Sequence, residues 1–406
     1  MQCTTTRVNA DSRTRVAVRS TAAAGIAALT LSAANPVFAA AEFKIGDNSG
    51  VTAGFGLRTS YTRLEKGAPN GTSDSNDFAV ESVRLYLGAH YNNMIKATFN
   101  TERTGGPNSD RNDIRVLDAI AQFEFHPAFN VWMGRFLPPS DRPNLYGPYF
   151  VLPWSYPGIA SNYPAIFAGR DDGVMIWGKP FEGKVSYSIG AFEGHNKNAA
   201  LSGASDKPLY AARLHFNLLD VEPPPAHYLG GTYYGAKDIL SVGLAGFYQS
   251  DGVGTVARPG KLKIWSVDLL FEKKFAFGVP TLEGAYYKYN LGAVDCNSGE
   301  PGSVVCTGGG GDNLGGQVDG KAWLAGLGWL IPGVVGWGQF QPFVRYQKFD
   351  RSLSDTSLKA LDVGLNYIIK GSNAKLSAMF TKFEDSRLAS PLQDRKQFLI
   401  GAQLQY

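Results

Sequence analysis

Sixteen stretches of about ten residues, apolar at alternate positions, limit what this chain can fold into more than any other feature of it. In VTAGFGLRTSYTRL (51–64), Val51, Ala53, Phe55, Leu57 and Tyr61 alternate with Thr52, Gly54, Gly56, Arg58, Ser60 and Thr62. In SVRLYLGAHY (82–91), Val83, Leu85, Leu87, Ala89 and Tyr91 alternate with Ser82, Arg84, Tyr86, Gly88 and His90. The same period of two runs through 94–102, 117–125, 130–136, 173–178, 184–192, 209–217, 239–249, 264–272, 281–290, 322–330, 339–347, 360–367, 374–382 and 397–406. Such alternation marks a strand with unlike faces, and apolar residues opposite small or polar ones suit a strand with lipid outside and water inside. No apolar run approaches the roughly 20 residues of a helical span, and neither a helical stripe nor a strand-helix alternation recurs. The predicted fold is all-β: a transmembrane antiparallel β-barrel of sixteen strands.

The closing segment, QFLIGAQLQY, sets a condition on the rest. Phe398, Ile400, Ala402, Leu404 and Tyr406 share one face, Gln397, Gly401, Gln403 and Gln405 the other, and only Leu399 breaks the pattern. A strand at a terminus needs a neighbour, so 51–64 and 397–406 are expected to pair and close the sheet, as lipid demands of every backbone group. A soluble β-sandwich also alternates but needs no terminal aromatic strand. The connections alternate in length: EKGAPNGTSDSND, RTGGPNSDRND and the run from Leu137 to Asp171 are long, whereas NN, HPA and KPFEG are short. Barrels of this type keep short turns at the periplasmic rim and long loops outside. One connection disobeys, LLDVEPPPAHYLGGTYYGAKD (218–238), long where a short turn is due.

Residues 1–41 read as a secretory signal peptide: Arg7, Arg13, Arg15 and Arg19, then the apolar TAAAGIAALTLSAA, then small residues before cleavage after Ala39 or Ala41. Its removal takes away four arginines and one aspartate, so the formal +4 becomes +1 and no nucleic-acid partner is implied. The barrel is then 42–406, exported to the outer membrane of a Gram-negative bacterium, in contact with membrane lipid and lipopolysaccharide. Cys296 and Cys306, in DCNSGEPGSVVCTGGGG, read as a disulfide in an exported loop; a zinc site would need further ligands that the nearby sequence lacks.

FAVESVRLYLGAHYNN, IKATFN, LDAIAQFEFHPAFNVWMGRF and GRDDGVMIWGKPFEGKVSYSIGAFEGHN together resemble the bacterial porins grouped with the phosphate-selective porins O and P. The resemblance follows most of the mature chain and is dense over 78–195. It implies a sixteen-stranded outer-membrane channel for passive diffusion of small hydrophilic solutes, small anions among them, assembled as a homotrimer and using no cofactor. Tyr406 resembles the C-terminal aromatic through which the barrel assembly machinery reads such chains, where Phe is commoner. Phosphate-selective members carry arginines just before the equivalent of Val83-Arg84-Leu85; here Glu81-Ser82 stands there and Arg84 is retained, which implies weak rather than strict anion preference.

Strand phase points Arg58, Arg84, Lys96, Lys184, Arg213, Lys288, Arg345 and Lys375 into the lumen, opposed by Asp118, Glu124, Asp268 and Asp362. The excess of bases fits weak anion selectivity, or a mixed-charge wall with none. The 137–171 loop is too long and too apolar to stand in water. Tyr149, Phe150, Trp154, Tyr156, Tyr163 and Phe167 are expected to fold inward as the constriction, with Arg142 and Arg170 flanking it; a cap or a trimer contact is the other reading. His90 and His215, at lumen positions, leave a barrel hydrolase open if either meets a loop serine, and a scaffold for a partner protein is the third possibility. HExxH, Walker and haem signatures are absent.

Overall fold

In the computed structural model, residues 41–103, 113–162, 168–194, 206–255, 258–290, 319–352, 355–386, 388 and 393–406 are described. Residues 1–40 of the signal segment, Cys296, Cys306, Tyr163 and Phe167 lie outside them. The strands are β1 (Ala41–Lys44), β2 (Gly50–Leu64), β3 (Ser75–His90), β4 (Ile95–Arg103), β5 (Ile114–His126), β6 (Phe129–Phe136), β7 (Asp171–Gly178), β8 (Val185–Phe192) and β9 (Leu209–Asn217). They continue as β10 (Ile239–Thr255), β11 (Arg258–Glu272), β12 (Val279–Asn290), β13 (Gly320–Leu330), β14 (Gln339–Arg351), β15 (Ser357–Lys370), β16 (Ala374–Asp385) and β17 (Asp394–Gln405). Each of the sixteen alternating segments falls on one of β2–β17.

Every strand from β2 to β17 pairs antiparallel with the next, and β17 pairs with β2, from Gln397 opposite Leu64 to Gln405 opposite Gly56. Tyr406 and Phe55 exchange two more backbone hydrogen bonds at 2.6 and 2.7 Å. The ring is therefore closed at the joint expected from the terminal strands, and no edge is left for lipid to desolvate. β1 is additional: it folds back on β2, Ala41 opposite Ala53.

The alternation resolves into an outer face of exposed apolar residues, such as Phe55, Leu85, Phe99, Ile189, Leu282, Val363 and Ile400, and an inner face that is almost wholly buried. That inner face departs from a purely polar lining. A large apolar cluster joins Trp132, Phe136, Met175, Phe192, Leu262 and Phe349 to Ile159 and Ala160 of the long loop, so much of the interior is packed solid. Leu399, the residue that broke the terminal pattern, points inward into a second cluster with Phe343, Met379, Leu152 and Trp154. Two sequence expectations are corrected. Lys288 shares the outer face with Tyr286 and Leu282, because Tyr287 and Tyr289 take the inward positions. Lys184 precedes β8, exposed at the short-turn rim, where its ammonium donates to the Leu219 carbonyl.

β3 begins at Ser75, well before the alternation of 82–91, because a β-bulge interrupts it: Arg58 lies opposite Ser82 but Thr59 opposite Val80. The extra residue is Glu81, and the bulge turns Glu81 and Ser82 to the same side of the wall, as such irregularities do.

Candidate functional site

Two connections enter the barrel and meet inside it. The first joins β6 to β7. Asp141 caps its single helix, α1 (Arg142–Tyr146), by accepting from the Asn144 amide at 3.2 Å, Pro143 occupies the first turn, and Gly147 ends it at φ 62. Beyond the helix the backbone is held by its carbonyls. Gln403 donates to Tyr149 (2.9 Å), Lys375 to Val151 (3.0 Å), Asn366 to Leu152 (2.7 Å), Arg58 to Trp154 (2.6 Å) and Arg345 to Ser155 (2.8 Å). Tyr289 donates to Ala160 (2.5 Å) and Tyr287 to the Asp141 carboxylate (2.5 Å). A buried carbonyl without a donor is costly; the wall supplies one from each of several strands, and the loop is fixed across the lumen. Trp154 lies against Gly401, where a Cβ would come within 2.6 Å of the indole. Its Nε1 donates to Glu81, and the Arg58 guanidinium stacks 4.0 Å from its ring.

The second is the anomalous 218–238 connection between β9 and β10, which folds inward to meet the first. Arg142 is fully buried and binds Glu222 bidentately at 2.9 and 2.6 Å, while also donating to the Gly230 carbonyl and to Ser241. Asp268 accepts two bonds from Arg213 (2.6 and 2.8 Å), and Arg213 also reaches the Ser140 carbonyl. Burial opposes charge on Glu222, yet Arg142 outweighs it and holds the carboxyl well below the usual range. Burial likewise works against Arg142, and Glu222 and Asp268 keep it charged. Burial pushes the His227 imidazole down to about 4, and its Nε2 donates to the Leu137 carbonyl at 3.0 Å. Burial raises the Asp141 carboxyl to about 6 against the donors around it.

The predicted pore residues are thus distributed unevenly. Arg58, Arg84, Arg142, Arg170, Arg213 and Arg345 all point inward, but each is buried and committed. Arg84 pairs with Glu102 at 2.6 Å and lies 5.0 Å from the Tyr149 ring; Arg170 pairs with Asp118 at 3.0 Å; Arg345 pairs with Asp362 at 2.8 Å. Tyr149 and Trp154 are buried, Phe150 and Tyr156 half-buried, and Tyr156 bonds Ser161. Lys96 differs: its side chain keeps 37 % exposure although it pairs with Glu124. With Thr52, Gly88, His90, Thr98 and Asn100 it forms the stretch of inner wall, on β2–β4, that stays in contact with solvent. His215 bonds no serine among the described residues, although Ser186 lies opposite it on β8: Arg213 bonds one ring nitrogen, while Asn217 and Glu222 take the other. Among the described residues no group of His, Cys, Asp and Glu is placed to hold a metal. Glu102, Glu222 and Glu283, which accepts from the Tyr146 hydroxyl at 3.0 Å, were missed by sequence reasoning, with the length of 218–238 the only signal for Glu222; Glu81 was noted as a departure from the porin pattern but not as a partner of Trp154.

No family model and no curated protein matches the sequence. Solved structures do. An anion-selective porin from Comamonas acidovorans superposes with a TM-score of 0.57 at 15% identity, covering 88% of this chain and 100% of its own. Salmonella typhi OmpF, solved in complex with daunomycin, gives 0.56 at 13% over 90% of this chain and 100% of its own. The outer-membrane channel DcaP of Acinetobacter baumannii gives 0.55 at 11% over 89% and 99%. At these identities the likeness is one of fold.

Proposed function

We propose that this chain is an outer-membrane porin, a water-filled channel for passive diffusion of small hydrophilic solutes. The observation that carries the reading is the closed sixteen-strand ring with an inward loop held by wall donors and a solvent-contacting stretch of inner wall on β2–β4. The likeness to three outer-membrane channels supports the fold on which it rests. The resemblance to the phosphate-selective O and P porins supports a homotrimer, and export through the signal segment with assembly read from the terminal strand completes the route. In this reading the solute follows the β2–β4 wall past Lys96, and the buried arginines act behind it as fixed field and as clamps on the loop. Each of those arginines has a carboxylate nearby, and Glu81 stands where phosphate-selective relatives have arginine, so anion preference is weak. Planar-bilayer recording of the purified, refolded chain tests the proposal. Discrete ohmic channels with a small reversal potential in a salt gradient are expected; a membrane left insulating by correctly folded protein contradicts it.

A further inference from the structure

The outer wall carries a charge pattern that the lumen does not explain. Strands β2–β10 contain one lysine, Lys96, and it faces inward; each strand from β11 to β17 carries a lysine on its outer face near the long-loop rim. Register sets three pairs of these directly opposite one another: Lys288 with Lys321, Lys348 with Lys359, and Lys382 with Lys396. Like charges directly opposed on one face of a sheet repel and destabilise it. Asp350 relieves Lys348 at 2.8 Å, and Glu384 serves both Lys382 at 2.6 Å and Lys359 at 3.5 Å. Among the described residues Lys288, Lys321 and Lys396 have no ion-pair partner.

The level of the row is set by its neighbours. Two positions nearer the short-turn rim, on the same outer face, stand Trp265, Tyr286, Trp323, Tyr346, Phe380 and Phe398, with Leu361 on β15. Rings of this kind sit at a membrane-water interface. A lysine two residues farther along a strand is about 7 Å beyond, at headgroup depth, with its stem free to reach outward. The ammonium groups face sideways from the wall, where headgroups lie beside them.

We propose that this row docks phosphorylated glycolipid headgroups of the outer leaflet, each phosphate seated between two opposed lysines. The inference rests on the outer-membrane reading above, which puts the long-loop rim outside. A phosphate monoester carries about −1.5 to −2 charges at neutral pH, enough to match two ammonium groups across adjacent strands about 4.8 Å apart. A phosphodiester lipid brings only one charge. Seven strands at that spacing give an arc of roughly 30 Å, room for more than one headgroup.

The refolded full chain, in neutral detergent, is titrated with diphosphoryl lipid A, with the same lipid stripped of its phosphates, and with phosphatidylglycerol. The quadruple variant Lys288→Gln, Lys321→Gln, Lys348→Gln, Lys359→Gln and its Lys→Arg counterpart are compared, heat-shifted gel mobility confirming that both are folded. Wild type and the Arg variant should bind diphosphoryl lipid A at least tenfold more tightly than the Gln variant does. Wild type should bind the other two lipids at least tenfold more weakly. Equal binding by the Gln variant, or phosphatidylglycerol bound as well as lipid A, overturns the proposal. Conductance is recorded separately: a chain that conducts without selecting the phosphorylated lipid refutes the docking row alone, and one that selects the lipid without conducting refutes the pore and supports the row.

Discussion

Arg142 shows what a single buried charge does here. Replacing it with Ala leaves Glu222 enclosed without its partner, a change that costs about 3 to 5 kcal/mol when a buried pair is broken from one side. Because both partners belong to connections and the ring of strands does not depend on them, Arg142→Ala should assemble into a heat-shifted barrel whose 218–238 segment becomes sensitive to protease; a resistant segment contradicts the clamp. A second prediction concerns pH. On docking, His227 falls from 6.5 to about 4, so the undocked connection takes up a proton first as pH drops, and docking weakens between those values by up to roughly 3 kcal/mol. Asp141 moves from 3.8 to about 6; the docked loop is then first to take a proton, and docking strengthens over nearly the same window by a similar amount. Trp132, Tyr228, Arg213 and Lys179 surround His227, whereas Tyr287, Ser161, Asp268 and the Asn144 amide surround Asp141. The two titrations therefore oppose each other between pH 7 and 4, and each is exposed by removing the other. His227→Gln should protect the loop amides from hydrogen exchange more in acid, and Asp141→Asn less. Identical pH profiles for the two variants would falsify the assignment.

At the scale of elements, the inward loop is seated by shape as well as by hydrogen bonds. Gly401 keeps its place in β17 opposite Ser60 and Ser377, while its missing side chain makes room for Trp154. Gly401→Leu therefore puts a branched chain where the indole lies and should lift the loop without unpairing the strand, raising conductance at unchanged heat-shifted mobility. Unchanged conductance would place the loop's seat elsewhere. Leu399, beside it, was legible as an irregularity but not as a contact, because its partners Trp154 and Leu152 are more than two hundred residues away. The strands themselves were legible because lipid imposes an apolar face on every one. The inner face was legible only where it is polar. Where the interior is packed solid both faces carry aromatic or aliphatic residues, and in AYYKYN the phase of Lys288 cannot be read locally. The Glu81 bulge and the docking of 218–238 were hidden for a related reason: each is decided by a distant partner, Trp154 in one case and Arg142 in the other.

For the whole molecule, the proposed channel turns on how little of its interior charge a passing ion would meet. Twelve per cent of the sequence is aromatic, and much of that has gone into filling the side of the barrel away from the β2–β4 wall. The guanidinium groups most able to select anions are held in pairs with Glu102, Asp118, Asp268 and Asp362. Lys96 is the lumen base with an open face, and Glu124 beside it nearly cancels its field at a distance. Removing the ammonium leaves that carboxylate alone on the wall. A unit charge about 4 Å from an ion is worth about 1 kcal/mol in water and about 4 kcal/mol at the lower dielectric of a protein surface. The lower figure suits a side chain this exposed, and because it acts with opposite sign on anion and cation it corresponds to a change of up to roughly thirtyfold in the ratio of anion to cation permeability. Lys96→Ala should accordingly move the reversal potential in a salt gradient towards cations by that ratio, and Lys96→Ala, Glu124→Ala should restore it. Arg345→Ala should change selectivity less than Lys96→Ala and loop stability more, since its charge is spent on Asp362 and Ser155. If instead Arg345→Ala shifts the reversal potential and Lys96→Ala does not, ions pass through the centre of the barrel rather than along the β2–β4 wall.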